Sequence, residues 1–315
     1  MQSIRTLTRS GIELPELGLG CATLAFNASS DALSLARQML QDALDAQIGY
    51  FDTAPFYGRG LSERLVGDAL RGHDVVISSK VGRLLVPDAT TETHMPFRVE
   101  YDYSYDGILR SVEDSLQRLG LEKIDILYAH DLGVHTHKEN APARLAEFFD
   151  GGGYRALDRL RADETARAIG LGVNEIKVCE QVMERGTFDV FLLAGRHTLL
   201  ERNASQEFFQ ACSKADTDIV IGGPFNSGLL VGGQTYNYRA VPDDIAAKHQ
   251  QLVAYCAAHH VDIGAAALQF PLRETVVKSV IPGPKTPQEL KQILGWMAQD
   301  IPAAFWDGLS DLDKL

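Results

Sequence analysis

The stretch from Gly49 to Gly67, GYFDTAPFYGRGLSERLVG, contains the repeating unit from which the fold is built. It opens with a short apolar run that ends at Asp52, passes through a turn broken by glycines, and then enters a segment of helical period. Short strand-type runs and longer helical segments of this kind alternate almost from one end of the chain to the other. This alternation predicts βα units around a parallel sheet.

The same pattern predicts eight strands and eight helices. The strands are Leu17–Gly20, Tyr50–Asp52, Val75–Lys80, Ile124–Ala129, Ala168–Gly172, Val190–Leu193, Ile219–Gly222 and Val277–Ile281. The helices are Ala32–Ala46, Ser62–Leu70, Tyr105–Leu119, Tyr154–Ala162, Ile176–Arg185, Ser205–Lys214, Ile245–His259 and Pro287–Ala298. Eight βα units are the content of a (β/α)8 TIM barrel. Apolar runs on both sides of Ser10-Gly11 predict a short N-terminal β-hairpin that plugs the lower end of the barrel.

A doubly wound sheet is the competing architecture. It favours a glycine-rich turn after the first strand, but the segment GLGLGCATLAF lacks the G-x-G-x-x-G spacing. No proline- or serine-rich linker divides the chain, so we interpret residues 1–315 as a single barrel domain.

Composition and charge exclude several classes of function. The net charge is −12 and the basic residues are scattered, so the sequence predicts no nucleic-acid partner and no polybasic membrane anchor. No run approaches the roughly 18 apolar residues of a membrane span, and the N-terminus lacks the apolar core of a signal peptide. The widely spaced cysteines, Cys21, Cys179, Cys212 and Cys256, are typical of reduced, buried thiols in a cytoplasmic protein.

Two long segments interrupt the alternation and follow the third and fourth strands. They are GRLLVPDATTETHMPFRVEYDYSYDG and DLGVHTHKENAPARLAEFFDGGG. Barrel enzymes keep their active sites at the ends of the strands that such segments follow, so we expect these two to shape a pocket. His135 and His137 in the second segment lack a third ligand nearby, and no metal site is predicted.

Four polar residues end or closely follow apolar strands: Asp52, Tyr57, Lys80 and His130. In a barrel, such positions converge on one mouth. A tyrosine there exchanges a proton if its pKa is brought down, and an ammonium group held by a carboxylate stabilises the phenolate. A histidine beside them can hydrogen-bond a carbonyl or alcohol oxygen. The set is suited to moving a proton at a C–O centre.

The sequence resembles the aldo-keto reductases. The resemblance is carried by GYFDTAPFYGRGLSERLVGDAL, VVISSKVG, SLQRLGLEKIDILYAHD and VIPGPKT, and it spans roughly the whole chain. It implies a (β/α)8 barrel with a nicotinamide cofactor across the C-terminal mouth. It also implies a catalytic tetrad in which Tyr57 exchanges the proton, Lys80 tunes it, Asp52 holds Lys80 and His130 orients substrate.

The resemblance implies an NAD or NADP cofactor, because no side chain supplies hydride. The family binds the cofactor with the loops after strands seven and eight, here GGPFNSGLL and PGPKTPQEL. The cofactor-binding residues that we predict are Cys21, Asp52, Gly172, Asn174, Gly223, Phe225, Ser227, Gly228, Gly283, Lys285, Thr286 and Gln292.

The chain also departs from the family pattern. Ala194 or Gly195 replaces the usual glutamine after strand six, and Gly222 or Gly223 replaces the aromatic residue that stacks on nicotinamide, which predicts a roomier pocket. Glu289 falls near the position where a basic residue grips the 2′-phosphate of NADP. This favours NAD, with Lys285 as the opposing charge.

The motifs GLGVNE, LLAGR and GGPFNSGLL resemble the sugar-oxidising branch of the family, the L-fucose, D-threo-aldose and L-galactose 1-dehydrogenases and a related pyridoxal dehydrogenase. This implies NAD(P)-dependent oxidation of an aldose at C1 to its lactone with Tyr57 as general base. Aromatic residues that could stack on the sugar are Phe56, Tyr101, Tyr103 and Tyr105. The alternatives are a broad NADPH-dependent aldehyde and ketone reductase, and a cofactor-binding regulatory subunit without turnover. We expect a small sugar or aldehyde as substrate, and a monomer or a homodimer.

Overall fold

The computed structural model describes residues 3–25, 28–91, 93–202, 206–237 and 239–309. Its strands, numbered along the chain, are β1 (Ile4–Thr6), β2 (Glu13–Pro15), β3 (Leu19–Gly20), β4 (Tyr50–Asp52), β5 (Val76–Val81), β6 (Arg83–Pro87), β7 (Phe97–Tyr101), β8 (Ile126–His130), β9 (Ala168–Val173), β10 (Val190–Ala194), β11 (Asp218–Gly222), β12 (Thr235–Tyr236), β13 (Arg239–Ala240) and β14 (Val277–Ile281). Its helices are α1 (Ser30–Asp45), α2 (Leu61–Leu70), α3 (Tyr105–Leu119), α4 (Val134–His137), α5 (Ala141–Phe149), α6 (Gly153–Ala162), α7 (Ile176–Met183), α8 (Gln206–Lys214), α9 (Asp243–Ala258), α10 (Ile263–Gln269), α11 (Pro287–Ala298) and α12 (Ala303–Leu309).

Eight parallel strands form the barrel in the order β3-β4-β5-β8-β9-β10-β11-β14. The sheet closes on itself where the first and last strands meet. Leu17 bridges Val280 in parallel, Gly18 N donates to Val280 O at 2.9 Å, and Val280 N donates to Glu16 O at 2.8 Å. The predicted (β/α)8 architecture is therefore confirmed.

The N-terminal hairpin is also confirmed. β1 and β2 pair antiparallel, and Leu7, Ile12 and Leu14 from this hairpin are buried with residues of the barrel interior such as Val190 and Val220. Arg5 fixes the hairpin to the barrel, since its guanidinium donates to the carbonyl of Val277 at 2.8 Å and to that of Leu272 at 2.7 Å. The hairpin closes the lower end of the barrel, as expected.

Most predicted elements are present with ends shifted by one or two residues, and the shifts have local causes. The first helix begins at Ser30 and not at Ala32, because Ser29 caps it by accepting a hydrogen bond from the amide of Ala32. Helix α9 begins at Asp243, two residues before the predicted Ile245. Its first turn carries two aspartates, whose negative charge is favourable at the start of a helix. Ser205, the predicted first residue of the helix observed as α8, lies outside the described residues.

The two long segments contain regular structure that the sequence pattern did not show. The first forms an antiparallel hairpin of β6 and β7, and the second contains α4 and α5. Both leave the barrel at the C-terminal ends of β5 and β8, where they form the wall of the mouth. The four cysteines are buried and free, in agreement with the prediction. Within the described residues, no helix is long and apolar enough to cross a membrane.

Candidate active site

Three of the four predicted catalytic residues end neighbouring strands of the barrel. Asp52 is the last residue of β4, Lys80 lies next to the end of β5, and His130 is the last residue of β8. These strands are adjacent in the order β4-β5-β8, so their side chains share one side of the mouth. Tyr57 lies in the loop between β4 and α2, above them.

Asp52 and Lys80 form a buried ion pair. Lys80 Nζ lies 2.6 Å from Asp52 Oδ2 and donates a second hydrogen bond to the carbonyl of Thr53 at 3.0 Å. Burial lowers the pKa of Lys80, but the charges of Asp52 and Tyr57 and the hydrogen bonds to them raise it more, so the net shift is upward. Lys80 is therefore a fixed cation beside Tyr57.

Tyr57 is half-buried and contacts both Lys80 and His130. Lys80 Nζ lies 4.6 Å from the centroid of the Tyr57 ring, and the His130 ring meets it edge-on at 6.0 Å between centroids. Burial raises the pKa of Tyr57 to about 12, although the Lys80 charge acts to lower it. The Lys80 charge lowers the pKa of Tyr57, as expected, but burial raises this pKa by more. Tyr57 is a protonated phenol at neutral pH.

His130 is buried and neutral. Burial, followed by the positive charges of Arg83 and Lys80, holds the pKa of this imidazole well below its usual range. Its Nδ1 is buried and has no hydrogen-bond partner among the described residues. Its backbone carbonyl accepts a hydrogen bond of 2.6 Å from the hydroxyl of Tyr103. A neutral imidazole can hydrogen-bond an uncharged oxygen, which is what the predicted role requires.

Arg83 and Asp131 form a second ion pair at the mouth, which the sequence reasoning missed. The Arg83 guanidinium lies 4.2 Å from the centroid of Phe56, and Asp131 Oδ2 lies 3.7 Å from His130 Nε2. Burial raises the pKa of Asp131, and the charge of Arg83 opposes that shift. Both residues closely follow strands, so the rule that selected Lys80 and His130 would also have selected them.

The four aromatic residues expected to face a sugar divide into two groups. Phe56 is 44% exposed and Tyr101 is half-buried, so both remain available at the mouth. Tyr103 is completely buried, and Tyr105 packs outside the barrel, where its hydroxyl accepts a hydrogen bond from Arg159 at 2.8 Å. The expectation is therefore wrong for Tyr103 and Tyr105. The first supports the backbone of His130, and the second belongs to the packing of α3 on α6.

Among the predicted cofactor-binding residues near the tetrad, Gly172 is the most constrained. A Cβ at this position would lie 3.2 Å from Cε of Lys80, so glycine leaves room for the lysine stem. Asn174 is half-buried and its Nδ2 donates to the carbonyl of Ala194 at 3.0 Å. Cys21 follows β3 with its thiol completely buried, and its amide donates to the carbonyl of Asp52 at 2.8 Å.

The loop after β11 carries Gly223, Phe225, Ser227 and Gly228. Phe225 packs edge-on against Trp296 of α11 at 5.5 Å between ring centroids, which ties this loop to the last βα unit. Neither polar atom of the Asn226 side chain has a hydrogen-bond partner among the described residues, although both are buried. An unused donor and acceptor in this loop fit a polar ligand such as a dinucleotide.

The loop after β14 leads into α11 and carries Gly283, Lys285 and Thr286. Thr286 caps the helix by accepting a hydrogen bond from the amide of Glu289 at 3.2 Å, and the Glu289 carboxylate accepts one of 2.7 Å from the amide of Lys285. The Glu289 charge therefore lies at the start of the helix. The side chains of Lys285 and Gln292 are exposed.

The two histidines of the second long segment, His135 and His137, were considered as metal ligands in the sequence. His137 Nε2 lies 3.0 Å from the Tyr103 hydroxyl, which gives it a structural partner. Across the residues for which the structure gives positions, no group of three or more histidine, cysteine, aspartate or glutamate side chains is arranged to hold a metal ion.

Comparisons with known proteins identify relatives of this chain. The sequence profile of the Aldo/keto reductase family matches residues 16–314. Pyridoxal 4-dehydrogenase of Microbacterium luteolum is 39% identical over 97% of this chain and 96% of the relative, and D-threo-aldose 1-dehydrogenase of a Pseudomonas species is 36% identical over 96% and 95%. The holo form of an aldo-keto reductase from Bacillus halodurans superimposes with a TM-score of 0.78 at 23% identity, covering 99% of this chain and 96% of that one.

Proposed function

The chain belongs to the aldo/keto reductase family, and from that premise we propose that it oxidises a cyclic hemiacetal, most specifically an aldose such as L-fucose or a D-threo-aldose at C1, to its lactone. The class of activity is that of an NAD(P)-dependent oxidoreductase. The observation that carries the proposal is the meeting of Asp52, Lys80, Tyr57 and His130 at one side of the mouth.

The two named relatives support a hemiacetal as the reacting group. One acts on pyridoxal and the other on D-threo-aldoses, as their names state. Both compounds carry an aldehyde and a hydroxyl group that can close into a ring, so one site chemistry serves both. Oxidation of the ring C–OH then removes a proton from oxygen and a hydride from carbon and leaves a lactone.

The proposed steps assign one task to each side chain. Tyr57 takes the hydroxyl proton as general base, and the Lys80 ammonium stabilises the phenolate that this role requires. Asp52 holds Lys80, and neutral His130 hydrogen-bonds the reacting oxygen. A bound nicotinamide cofactor supplies the hydride acceptor.

The exposed Phe56 ring, backed by Arg83, supports a ring-shaped substrate. A flat apolar surface beside the ion pair of Arg83 and Asp131 offers stacking and hydrogen bonding to the same ligand. Sugars present an apolar face and a rim of hydroxyl groups, and pyridoxal presents an aromatic face with polar substituents. We propose that these residues line the substrate pocket.

We further propose that NAD is preferred over NADP. Glu289 brings a carboxylate to the start of α11, in the loop that the family uses for the adenosine end of the cofactor. A 2′-phosphate would be repelled there, and the exposed Lys285 offsets only part of that repulsion. The cofactor-binding roles of the remaining predicted residues, and the cytoplasm as the compartment, stay proposals. The four free, buried thiols support the cytoplasm as the compartment.

The runner-up is reduction of an aldehyde or ketone with NADPH, and one observation favours it. Tyr57 is protonated at neutral pH because burial raises its pKa to about 12, and a phenol is the proton donor that a reductase needs. A regulatory subunit without turnover is not supported, because the Asp52–Lys80 pair and the Tyr57 contact are intact.

The test is to mix the purified protein with NAD⁺ and a panel of L-fucose, L-galactose, D-threo-aldoses and pyridoxal, and to follow the absorbance of the reduced cofactor. Turnover with at least one hemiacetal is the expected result. Consumption of NADPH with small aldehydes, in the absence of any hemiacetal oxidation, would replace the proposal with the reductase alternative.

A further inference from the structure

A row of three buried hydroxyl groups lies directly beneath the tetrad. Tyr50, Ser78 and Tyr128 stand two residues before the three tetrad members that lie on strands. Side chains two residues apart on a strand point to the same face, so these hydroxyls occupy the barrel interior one layer below the site. All three residues are completely buried.

The hydroxyls connect in sequence to the carboxylate of Asp52. Ser78 Oγ donates to Asp52 Oδ1 at 2.8 Å, on the oxygen that Lys80 does not use. The Tyr50 hydroxyl lies 3.1 Å from Ser78 Oγ, and the Tyr128 hydroxyl lies 3.3 Å from that of Tyr50.

The direction of every hydrogen bond in this row is fixed by proton counting. Each hydroxyl has one proton, and an ionised carboxylate only accepts. Ser78 uses its proton on Asp52, so Tyr50 must donate to Ser78, and Tyr128 must donate to Tyr50. All three protons therefore point toward Asp52, and bonds that run in one direction polarise each other.

The row of hydroxyl groups ends at Tyr128. Tyr128 has no second hydrogen-bond partner among the described residues. Tyr50 and Tyr128 belong to the same buried hydrophobic cluster as Leu7 and Ile12 of the hairpin. The described residues therefore offer no hydrogen-bonded route from the row to the lower end of the barrel, and we expect the effect of the row on the site to be electrostatic and geometric.

We propose that Ser78 is a positioning residue for proton transfer, which, with Tyr50 and Tyr128 behind it, orients the Asp52 carboxylate so that Lys80 stays directed at Tyr57. This inference rests on the proposed role of Tyr57. Ser78 contacts neither Lys80 nor Tyr57 by any hydrogen bond in the described chain, so its influence passes through Asp52.

Removing the Ser78 hydroxyl should make Tyr57 harder to ionise. Asp52 would lose the donor on Oδ1, and its negative charge would then draw more strongly on Lys80, leaving less of the ammonium charge for the phenolate. The charged and titratable groups around Tyr57 are Lys80 from β5, Asp52 and Tyr50 from β4, His130 at the end of β8, and Asp131 directly after it. Among them, Ser78 hydrogen-bonds Asp52 and, one step further from the site, Tyr50.

The chain contains a matched control in the next residue. Ser79 is on the same strand and is also completely buried, but its hydroxyl donates to Glu63 Oε1 at 2.7 Å on the outer face of the barrel. Ser78→Ala and Ser79→Ala therefore remove the same group from the same depth on opposite sides of one strand.

The experiment compares kcat, KM and the pH profile of the two variants with a substrate that the wild type turns over. For Ser78→Ala we expect kcat to fall about tenfold, the scale of a hydrogen bond to a charged group, with little change in KM. We also expect the limb of the profile that belongs to Tyr57 to move by about one pH unit toward alkaline pH, which is the same tenfold change. Ser79→Ala should leave both unchanged.

The alkaline shift of the Tyr57 limb should become smaller with each step along the row away from Asp52. Tyr50→Phe should move the Tyr57 limb less than Ser78→Ala, and Tyr128→Phe least, because each bond is one step further from the carboxylate. Should Ser78→Ala fail to fold, the two tyrosine variants carry the same comparison. Profiles of Ser78→Ala and Ser79→Ala that superimpose, or a Tyr128→Phe shift larger than that of Tyr50→Phe, would overturn the proposal.

A second measurement needs no turnover. Neutron diffraction from crystals of deuterated protein should place the Tyr128 deuteron toward Tyr50, the Tyr50 deuteron toward Ser78 and the Ser78 deuteron toward Asp52. The reverse order would refute the row as a donor to the site. Failure of the proposed function is distinguishable from failure of this inference. An inactive wild type, or an active Tyr57→Phe variant, contradicts the proposed role of Tyr57 but leaves the direction of the hydrogen bonds in the row unaffected.

Discussion

The side chain on which the proposed chemistry depends is Tyr57, and two opposing effects act on its pKa. Its half-buried position raises its pKa to about 12, while the Lys80 charge acts to lower it. The protein alone therefore holds a phenol and keeps beside it the cation that would stabilise the phenolate. This balance leads to two predictions about the residue.

Replacing Tyr57 with phenylalanine removes only the hydroxyl. We expect kcat to fall by about a hundredfold to ten-thousandfold, the usual contribution of a positioned acid or base, because the variant lacks the group proposed to exchange the proton. The affinity for the cofactor, measured by calorimetry, should stay within about twofold of the wild type. A variant that retains most of its kcat would show that another group exchanges the proton.

The two directions of reaction should depend on pH in opposite senses. Oxidation needs the phenolate, and the pKa of Tyr57 lies above its usual value, so the rate of oxidation should rise with pH through the alkaline range. Reduction needs the phenol and should not rise there. Initial rates in both directions from pH 6 to pH 10 test this, and an oxidation rate that is flat or falls above neutral pH would contradict it.

At the scale of secondary structure, elements with clear end signals were predicted to the residue. α3 runs from Tyr105 to Leu119 as expected, because Ser104 caps its start and Gly120 takes a left-handed conformation with φ 65° at its end. α10 was missed because residues 264–268 are all buried, so its sequence has no apolar stripe that alternates with a polar face.

The start of α11 carries both a helix cap and the carboxylate on which the proposed preference for NAD depends. Glu289→Gln removes the negative charge but keeps an oxygen that can accept the hydrogen bond from the amide of Lys285. We expect the ratio of the dissociation constants for NADP and NAD to shift by about fivefold in favour of NADP, which is the scale of one partly screened charge.

Glu289→Asp is the control for that prediction, because it keeps the charge and should keep the preference for NAD. Fluorescence titration with both cofactors gives the ratio. An unchanged ratio in Glu289→Gln would mean that the carboxylate does not face the adenosine end of the cofactor.

For the whole molecule, the alternation of strands and helices was enough to predict the barrel and its hairpin, because both depend on local patterns. The side-chain partners across the mouth were not predictable in the same way. The pairing of Arg83 with Asp131 joins two residues that lie far apart in the chain, and they meet because β5 and β8, which they closely follow, are neighbours in the sheet. The single domain over residues 1–315 and the choice between monomer and homodimer stay predictions.

Buried histidines should make the fold less stable in acid. His197 is enclosed by the rings of Phe209 and Phe270 at 4.6 and 5.0 Å between centroids, and burial lowers its pKa to about 4 from 6.5. Above pH 6.5 the residue is neutral in both states. As pH falls from 6.5 through 4 the unfolded chain takes up the proton first, so stability is lost, by up to about 3 kcal/mol.

Replacing His197 with phenylalanine should remove that part of the loss. Urea unfolding at pH 7 and pH 4.5 should show a smaller decrease in the free energy of unfolding for His197→Phe than for the wild type. A decrease remains, because burial also lowers the pKa of His130 and of His137. An equal decrease in both proteins would show that His197 is protonated in the folded state.

The closed floor beneath Tyr128 limits where a released proton can go. The hairpin side chains are buried with the barrel interior at that end, so for the part of the chain that the structure describes we expect a released proton to leave through the opening that reactants also use. A reactant bound in the opening blocks the path of the proton that it has released. Acidification of the medium should therefore coincide with the release of product and occur later than the breaking of the C–H bond. A pH indicator dye in a rapid-mixing instrument would see the lag as a delay at the first turnover.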